Sequence, residues 1–346
     1  MRKRVFAVVF VLGMLCCVLS PGAAAQSNDP CVPTTVWYFP DPIPLGWFYV
    51  RDYPGTYAYV IGAESYACHP PDPEPVCLAC LAAASGAATA SAPINLATGN
   101  TFIVQNDVRI PGISGGLSLV RTWNSKWPSS QTAYQVGLFG PNWRSTYEEQ
   151  VFVGSDNFIK YLRGDGSFWS FGTTGSPGSW VMSAPQNVSA TMTIGSTSIP
   201  YTTIIFQNGE QRRFDSTSGM LTTIIDRNGN TTTLTYDGAN RLVTVTDPAS
   251  RHLYFTYGSS SSHLVTGVSS DVSLSLSYSY DSQNRLSKVT NPDLSTLTFA
   301  YNSQSLITSV TDSNGKVLES HTYDSRGRGL TASRANGVEA VTVTYP

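Results

Sequence analysis

The chain has 346 residues, 41% of them hydrophobic, which is ample for a core and too apolar for a disordered polymer. Charged residues make up only 13%, against about 25% in typical globular domains, and 21 Lys plus Arg nearly cancel 23 Asp plus Glu. With no basic block and a formal net charge of -2, nucleic-acid binding has no electrostatic footing.

Residues 1–25 read as a secretory signal: Arg2-Lys3-Arg4, an apolar run from Val5 to Leu19, then Ser20-Pro21-Gly22 and Ala23-Ala24-Ala25, with cleavage expected after Ala25. As an anchor the run falls short of the roughly 20 residues a helix needs to span a bilayer. No membrane span is therefore expected after signal removal, and the chain is expected to be secreted or at the cell surface. Cys16 and Cys17 lie inside the run and leave with it.

Residues 26–90 form a Pro/Tyr/Cys-rich segment that ends in the small-residue linker LAAASGAATASA. Its cysteines, Cys31, Cys68, Cys77 and Cys80, are disulfide candidates suited to an oxidising compartment, with the connectivity open. A zinc site from Cys68, His69, Cys77 and Cys80 is the less favoured reading. Trp37, Trp47, Tyr53 and Tyr57 either build the small core of this cap or stack on sugars, the former being favoured.

From about Pro93 the chain changes to short alternating segments with Gly, Asn and Asp between them, as in GLSLVRTW and YTTIIFQNGEQRRF. That is a strand-and-turn grammar, with no amphipathic helix after it begins. Phe214, Tyr236, Tyr257, Tyr280, Tyr301, Tyr323 and Tyr345 recur every 21 to 23 residues. Most are followed by a turn-rich stretch and a leucine, as in YDGANRL, YDSQNRL and YDSRGRGL, and a second turn such as DRNGN or DSNGK follows about half a period later.

Each unit is thus two strands and two turns. Leu234 with Tyr236, Leu253 and Phe255 with Tyr257, and Leu276 and Tyr278 with Tyr280 share a parity, so each aromatic is expected on the buried face of its strand. The intervening Thr and Ser suit a wetter face. A lone hairpin is marginal in water, so the fold class is all-β: an elongated, spiralling antiparallel sheet of repeated hairpins.

With that period and the Tyr-Asp turns in place, residues 214–346 resemble the RHS/YD-repeat family of secreted bacterial proteins. PINLATGN, the Arg-Thr-aromatic of LVRTWNS and GLFGPNWRSTYE resemble the domain that precedes the repeats in RHS polymorphic-toxin proteins. The organisation expected is an RHS-associated β domain over 91–155, degenerate early strands over 156–213 and YD repeats over 214–346. The resemblance implies a shell built from hairpins around a C-terminal effector, its end marked by an Asp-Pro-x-Gly core motif. No such motif follows Asp29, Asp41, Asp72 or Asp247 in the right setting, and the sequence stops on VTVTYP, so neither toxin activity nor self-cleavage is carried over. An open sheet is expected, whose last strand would take a further RHS/YD chain or an effector polypeptide as partner.

The candidate chemistry is weak beside this architecture. Gly112-Ile-Ser114-Gly-Gly116 has the spacing of a hydrolase nucleophile elbow but not its strand-to-helix setting, so it reads as a turn. Ser313-Asn-Gly-Lys316 and Ser155-Asp156-Asn157 mimic penicillin-recognising motifs in the wrong order. Asp237, Asp281 and Asp324 read as turn formers rather than calcium ligands, because one acid per period supplies too few oxygens. His252, His263 and His321 read as surface residues. The expectation is a non-enzymatic scaffold with no cofactor, acting as a shell segment or cell-surface interaction module; the alternative is a protein that binds carbohydrate or cell-envelope glycans.

Overall fold

A computed structural model describes residues 47–53, 56–61, 94–96, 98–154, 158–173, 179–184, 189–195, 200–334 and 337–345. The signal reading, Trp37 and the four cysteines Cys31, Cys68, Cys77 and Cys80 lie outside the described residues, as does Ser155-Asp156-Asn157. Two compact units are distinguished. In the first, Trp47–Tyr53 pairs antiparallel with Thr56–Ile61, a hairpin whose strands carry Trp47, Tyr53 and Tyr57.

In the second unit, fifteen strands from Ala190–Thr193 to Val338–Thr342 form one antiparallel sheet in which each strand pairs with the next in sequence. The Thr-, Val- and Ile-rich segments take the extended backbone that β-branched side chains favour. Eight turns from Asp226 to Asp324 share one design: the residue three positions after the Asp or Asn is left-handed. It is Gly229, Asn240, Ser250, Asn284, Leu294, Ser305, Gly315 and Gly327 in turn. Gly and Asn accept that conformation readily, whereas Leu294, at φ 66 and 79% exposed, does so against its Cβ.

The strands entering each aromatic bury alternate residues, as expected. Leu234, Leu253, Phe255, Leu276, Tyr278 and Phe299 are all within 6% exposure. The returning strands follow another rule, burying residues three apart: Leu242 and Val245, Val265 and Val268, Leu286 and Val289, Ile307 and Val310. The cause is a β-bulge at every repeat. Thr235 faces Thr244 while Tyr236 faces Leu242, and the same skip recurs at Tyr257, Tyr280, Tyr301 and Tyr323. One extra residue in the returning strand reverses its parity, so both Leu242 and Val245 reach the core.

Ahead of the repeats, Phe102–Ile110, Leu117–Asn124 and Trp143–Ser145 make a three-stranded antiparallel sheet. Gln150–Val153, Ile159–Leu162 and Phe168–Thr173 form a second antiparallel run. One hydrophobic core takes in Ile103, Leu119, Trp123, Phe139 and Trp143 from this region together with the buried row of the repeats.

Candidate functional site: the inner face of the repeat sheet

Each repeat tyrosine is half-buried with its hydroxyl bonded to the backbone of the preceding unit, and the rings of Tyr236, Tyr257, Tyr280, Tyr301 and Tyr323 pack against the core. Tyr236 donates to the Leu221 carbonyl at 2.7 Å, Tyr257 to Leu242 at 2.8 Å, Tyr280 to Val265 at 2.7 Å and Tyr301 to Leu286 at 2.8 Å. Tyr323 reaches Ile307 at 2.7 Å and Tyr345 reaches Gly329 at 2.8 Å. The acceptor is in each case the first residue of a returning strand, next to the bulge. Phe214, first in the series, has no hydroxyl and is fully buried. Burial pushes the Tyr236, Tyr280 and Tyr323 hydroxyls well above the usual phenol range, so they stay protonated donors.

Asp237, Asp281 and Asp324 stand at the turn that follows. The Asp237 carboxylate accepts the Ala239 and Arg241 amides and the Arg241 guanidinium; Asp281 does the same with Gln283 and Arg285, and Asp324 with Arg326 and Arg328. Both carboxylate oxygens are thereby engaged inside the turn, which is a structural role. The Arg241 bonds hold the Asp237 carboxyl below the usual carboxylate range; at Asp281 and Asp324 burial pushes up, but the bonds from Arg285 and Arg328 outweigh it. Each arginine then lies over the tyrosine of the next repeat: Arg241 on Tyr257 at 4.7 Å, Arg285 on Tyr301 at 4.6 Å, Arg328 on Tyr345 at 4.1 Å.

The apolar face of this sheet is covered by the chain's own residues 94–151. Three successive repeats offer a ring two positions before their tyrosine, and each meets an aromatic of the preceding domain. Tyr147 lies edge-on to Phe255 at 6.5 Å, Phe139 to Tyr278 at 4.8 Å and Trp143 to Phe299 at 5.4 Å. At the centre Arg121, fully buried, packs against Phe139, Trp143 and Tyr278. It forms a two-pronged ion pair with Asp107, and the Tyr278 hydroxyl donates to that same carboxylate at 2.7 Å. Burial alone would pull the Arg121 pKa down, but Asp107 more than reverses this, so the guanidinium stays charged.

Backbone bonds fasten the same contact. The amides of Leu221, Val265 and Gly329, at the start of three returning strands, donate to the carbonyls of Glu149, Leu138 and Gly99. The turn of PINLATGN is held by Asn95, which accepts the Thr98 amide at 2.8 Å. Gly99 is left-handed (φ +74) and so close to Arg328 that a Cβ would meet that side chain at 2.7 Å. At the other end of the face Ser114 lies in an exposed, short 3-10 turn, not a strand-to-helix elbow, and its hydroxyl donates to Asp226 at 2.5 Å. Arg251 donates to the Pro111 carbonyl at 2.8 Å, so the Gly-rich loop is a latch onto two repeat turns. Ser313 and Lys316 belong to a repeat turn whose Asp312 accepts the Lys316 amide.

One expectation is corrected. His321 is 3% exposed rather than at the surface, because it occupies in its repeat the inward position of Phe255, Tyr278 and Phe299. Neither ring nitrogen makes a hydrogen bond, and Nε2 lies 3.4 Å from the Glu319 carboxylate. The other two histidines do lie nearer solvent: His252 is half-buried beside Asp271 at 2.7 Å and His263 is exposed. The carbonyl-seeking tyrosine hydroxyls, the arginine over the next ring and the role of Asp107 were not anticipated. Only the arginine has a sequence signal, the recurrence of Arg four residues after Asp237, Asp281 and Asp324.

Residues 91–171 match the family model described as a domain of unknown function (DUF6531), residues 215–252 the RHS repeat, and residues 251–343 the Teneurin YD-shell. No curated protein matches the chain. Among solved structures it is similar to the crystal structure of TcdB2-TccC3-Cdc42, at 14% identity and TM-score 0.29 over 64% of this chain and 14% of that one. It is also similar to the Photorhabdus luminescens Tc holotoxin pore carrying TccC3-D651A, at 10% identity and TM-score 0.25 over 69% of this chain and 17% of that one. The chain therefore spans less than a fifth of the length of those solved chains.

Proposed function

The chain is an RHS-repeat and YD-shell protein with a DUF6531 domain ahead of its repeats, and from that premise we propose that it works as a non-enzymatic segment of a secreted shell. The leader-like residues 1–25 would carry it out of the cytoplasm, and its site of action would be the medium or the cell surface. The observation that carries the reading is the docking of Phe139, Trp143 and Tyr147 onto Tyr278, Phe299 and Phe255 respectively. A domain that covers the apolar face of the repeats is suited to seal one part of a shell, with the sheet continued by a further RHS/YD chain or closed on an effector polypeptide. The Tc toxin structures are of complexes between TcdB2 and TccC3, which makes assembly with a second polypeptide the expectation here.

Expression of the full chain in its native host with an affinity tag, followed by mass spectrometry of the purified material, tests this. A YD-repeat or effector polypeptide recovered from the medium in fixed stoichiometry is the expected result. Retention of the chain in the cytoplasm, or recovery as a monomer with no companion, would overturn it. The second reading, a glycan-binding surface protein, is favoured by Tyr254, 38% exposed, stacked on His252 at 5.5 Å and bonded to Asp271. Glycan-array binding lost in Tyr254→Ala would support that reading in place of the first.

A further inference from the structure

The turns at 226–230, 247–251, 271–275, 291–295 and 312–316 all lie on one edge of the sheet, because each strand pairs antiparallel with the next. The Gly-rich loop joins them there, through Ser114 to Asp226 and Pro111 to Arg251. From Phe214 onward the large apolar side chains exposed among the described residues are Tyr254, Val272 and Leu294, and all three belong to this edge. Val272 and Leu294 stand in the turns themselves, and the Tyr254 hydroxyl reaches Asp271 beside Val272. Ile113 adds a fourth from the loop, 55% exposed. The turns of the opposite edge, at 237–241, 259–263, 281–285, 302–306 and 324–328, show none among the described residues.

Two of these tips are held out at a cost to the backbone. Leu294 is left-handed where Gly and Asn are at ease, and it gains no burial in return. Ile113 is followed by three residues at positive φ, Ser114, Gly115 and Gly116. Neighbouring tips stand two strand spacings apart, about 10 Å. Separate side chains of this kind bury roughly 100 Å2 each, which together falls well short of the roughly 800 Å2 per partner of a stable protein interface. A bilayer surface needs no matching pockets and takes all the tips at once. A tyrosine among them suits the headgroup level. Five aspartates in these turns outnumber Arg227, Arg251 and Lys316, so the edge has no attraction for anionic lipid.

We propose that this edge docks on a zwitterionic bilayer surface, with Ile113, Val272 and Leu294 entering the boundary between headgroups and acyl chains and Tyr254 at headgroup level. The docking edge is independent of the shell role and stands or falls without it.

The test is hydrogen exchange of the full chain, read by mass spectrometry, with and without phosphatidylcholine vesicles at about 5 mM lipid. The three aliphatic side chains together hold fewer carbons than a myristoyl chain, which binds at about 10⁴ M⁻¹, so a constant of about 10³ M⁻¹ is expected. Exchange at 111–116, 270–275 and 291–295 should then slow by about threefold or more, while 237–241 and 281–285 on the opposite edge stay unchanged. The readout is local, so attachment through the apolar run Val5 to Leu19 does not imitate it. Ile113→Ser, Val272→Ser and Leu294→Asn combined touch only exposed positions and should abolish the slowing with the circular dichroism unchanged. Salt at about 0.5 M should leave it in place. No slowing at these segments, equal slowing on both edges, slowing that survives the triple variant, or slowing that requires phosphatidylglycerol would overturn the proposal. Slowing that appears without lipid as protein concentration rises would assign the edge to a second copy of the chain and overturn it as well.

Discussion

The Tyr278 hydroxyl of the repeat sheet donates to Asp107 of the preceding domain at 2.7 Å, joining residues 171 positions apart through the carboxylate that also neutralises buried Arg121. The whole docked face converges on this point, because Arg121 packs on Phe139 and Trp143 as well as Tyr278.

Asp107→Ala should therefore destabilise the protein by about 3–5 kcal/mol, since it leaves Arg121 buried and unpaired. Tyr278→Phe removes one bond to a charged group and should cost about 1.5–3 kcal/mol. Urea unfolding of both variants checks the order; an Asp107→Ala protein no weaker than Tyr278→Phe would contradict the arrangement.

The tyrosine-to-carbonyl bonds predict a uniform series. Tyr257→Phe and Tyr301→Phe should each lose about 0.5–1.5 kcal/mol, leaving the ring in place and one carbonyl without its donor. These bonds share no partner, so the double variant should come close to the sum of the singles, measured as shifts in the urea midpoint.

Acid should unfold the sheet from its turns. The folded pKa values of Asp237, Asp247, Asp281 and Asp324 lie below the unfolded value of about 3.9, so their contribution is complete above that pH and is lost as pH falls through the folded values. Stability is expected to hold from about pH 7 to 5 and to drop below about pH 4. Asp281→Asn should be less stable at neutral pH and lose less on acidification, as read from urea midpoints at both pH values.

Leu294 is the least suited residue in the left-handed position of the turns. Leu294→Gly should relieve strain and stabilise the protein by up to about 1 kcal/mol, while the same change at Asn284 should gain nothing. Thermal midpoints of the two variants separate these outcomes.

His321 faces Ala332, where the equivalent rings Phe255, Tyr278 and Phe299 face Val268, Val289 and Val310. The smaller partner leaves room for a larger ring. His321→Phe combined with Glu319→Gln removes the two ring nitrogens and the carboxylate charge 3.4 Å from Nε2, and should stabilise by about 1–2 kcal/mol; a loss of stability in urea would show that the histidine–glutamate contact is favourable.

The period, the inward tyrosines and the turn role of Asp237, Asp281 and Asp324 were legible in sequence because they are local: alternation and turn chemistry act over a few residues. The three-residue burial of Leu242 with Val245 was not, because it follows from a bulge, and one inserted residue inverts every inference from parity. The pairing of Phe139 with Tyr278 was invisible for another reason, since nothing in either segment encodes which apolar face it will meet. His321 misled because a histidine between Ser and Thr looks wet until its repeat phase is compared with Phe299.

The arginines that lie over the next tyrosine occur at Arg241, Arg285 and Arg328, in every second repeat. The turn between the last two has Gln304, which donates to the Ser325 carbonyl of the following repeat at 3.1 Å. Clamped and unclamped repeats therefore alternate, and the unit that recurs along the sheet is a pair of repeats rather than one. Excision of the Tyr257 repeat alone would set the Arg241 and Arg285 turns side by side and break the alternation, while excision of a pair of repeats would restore it.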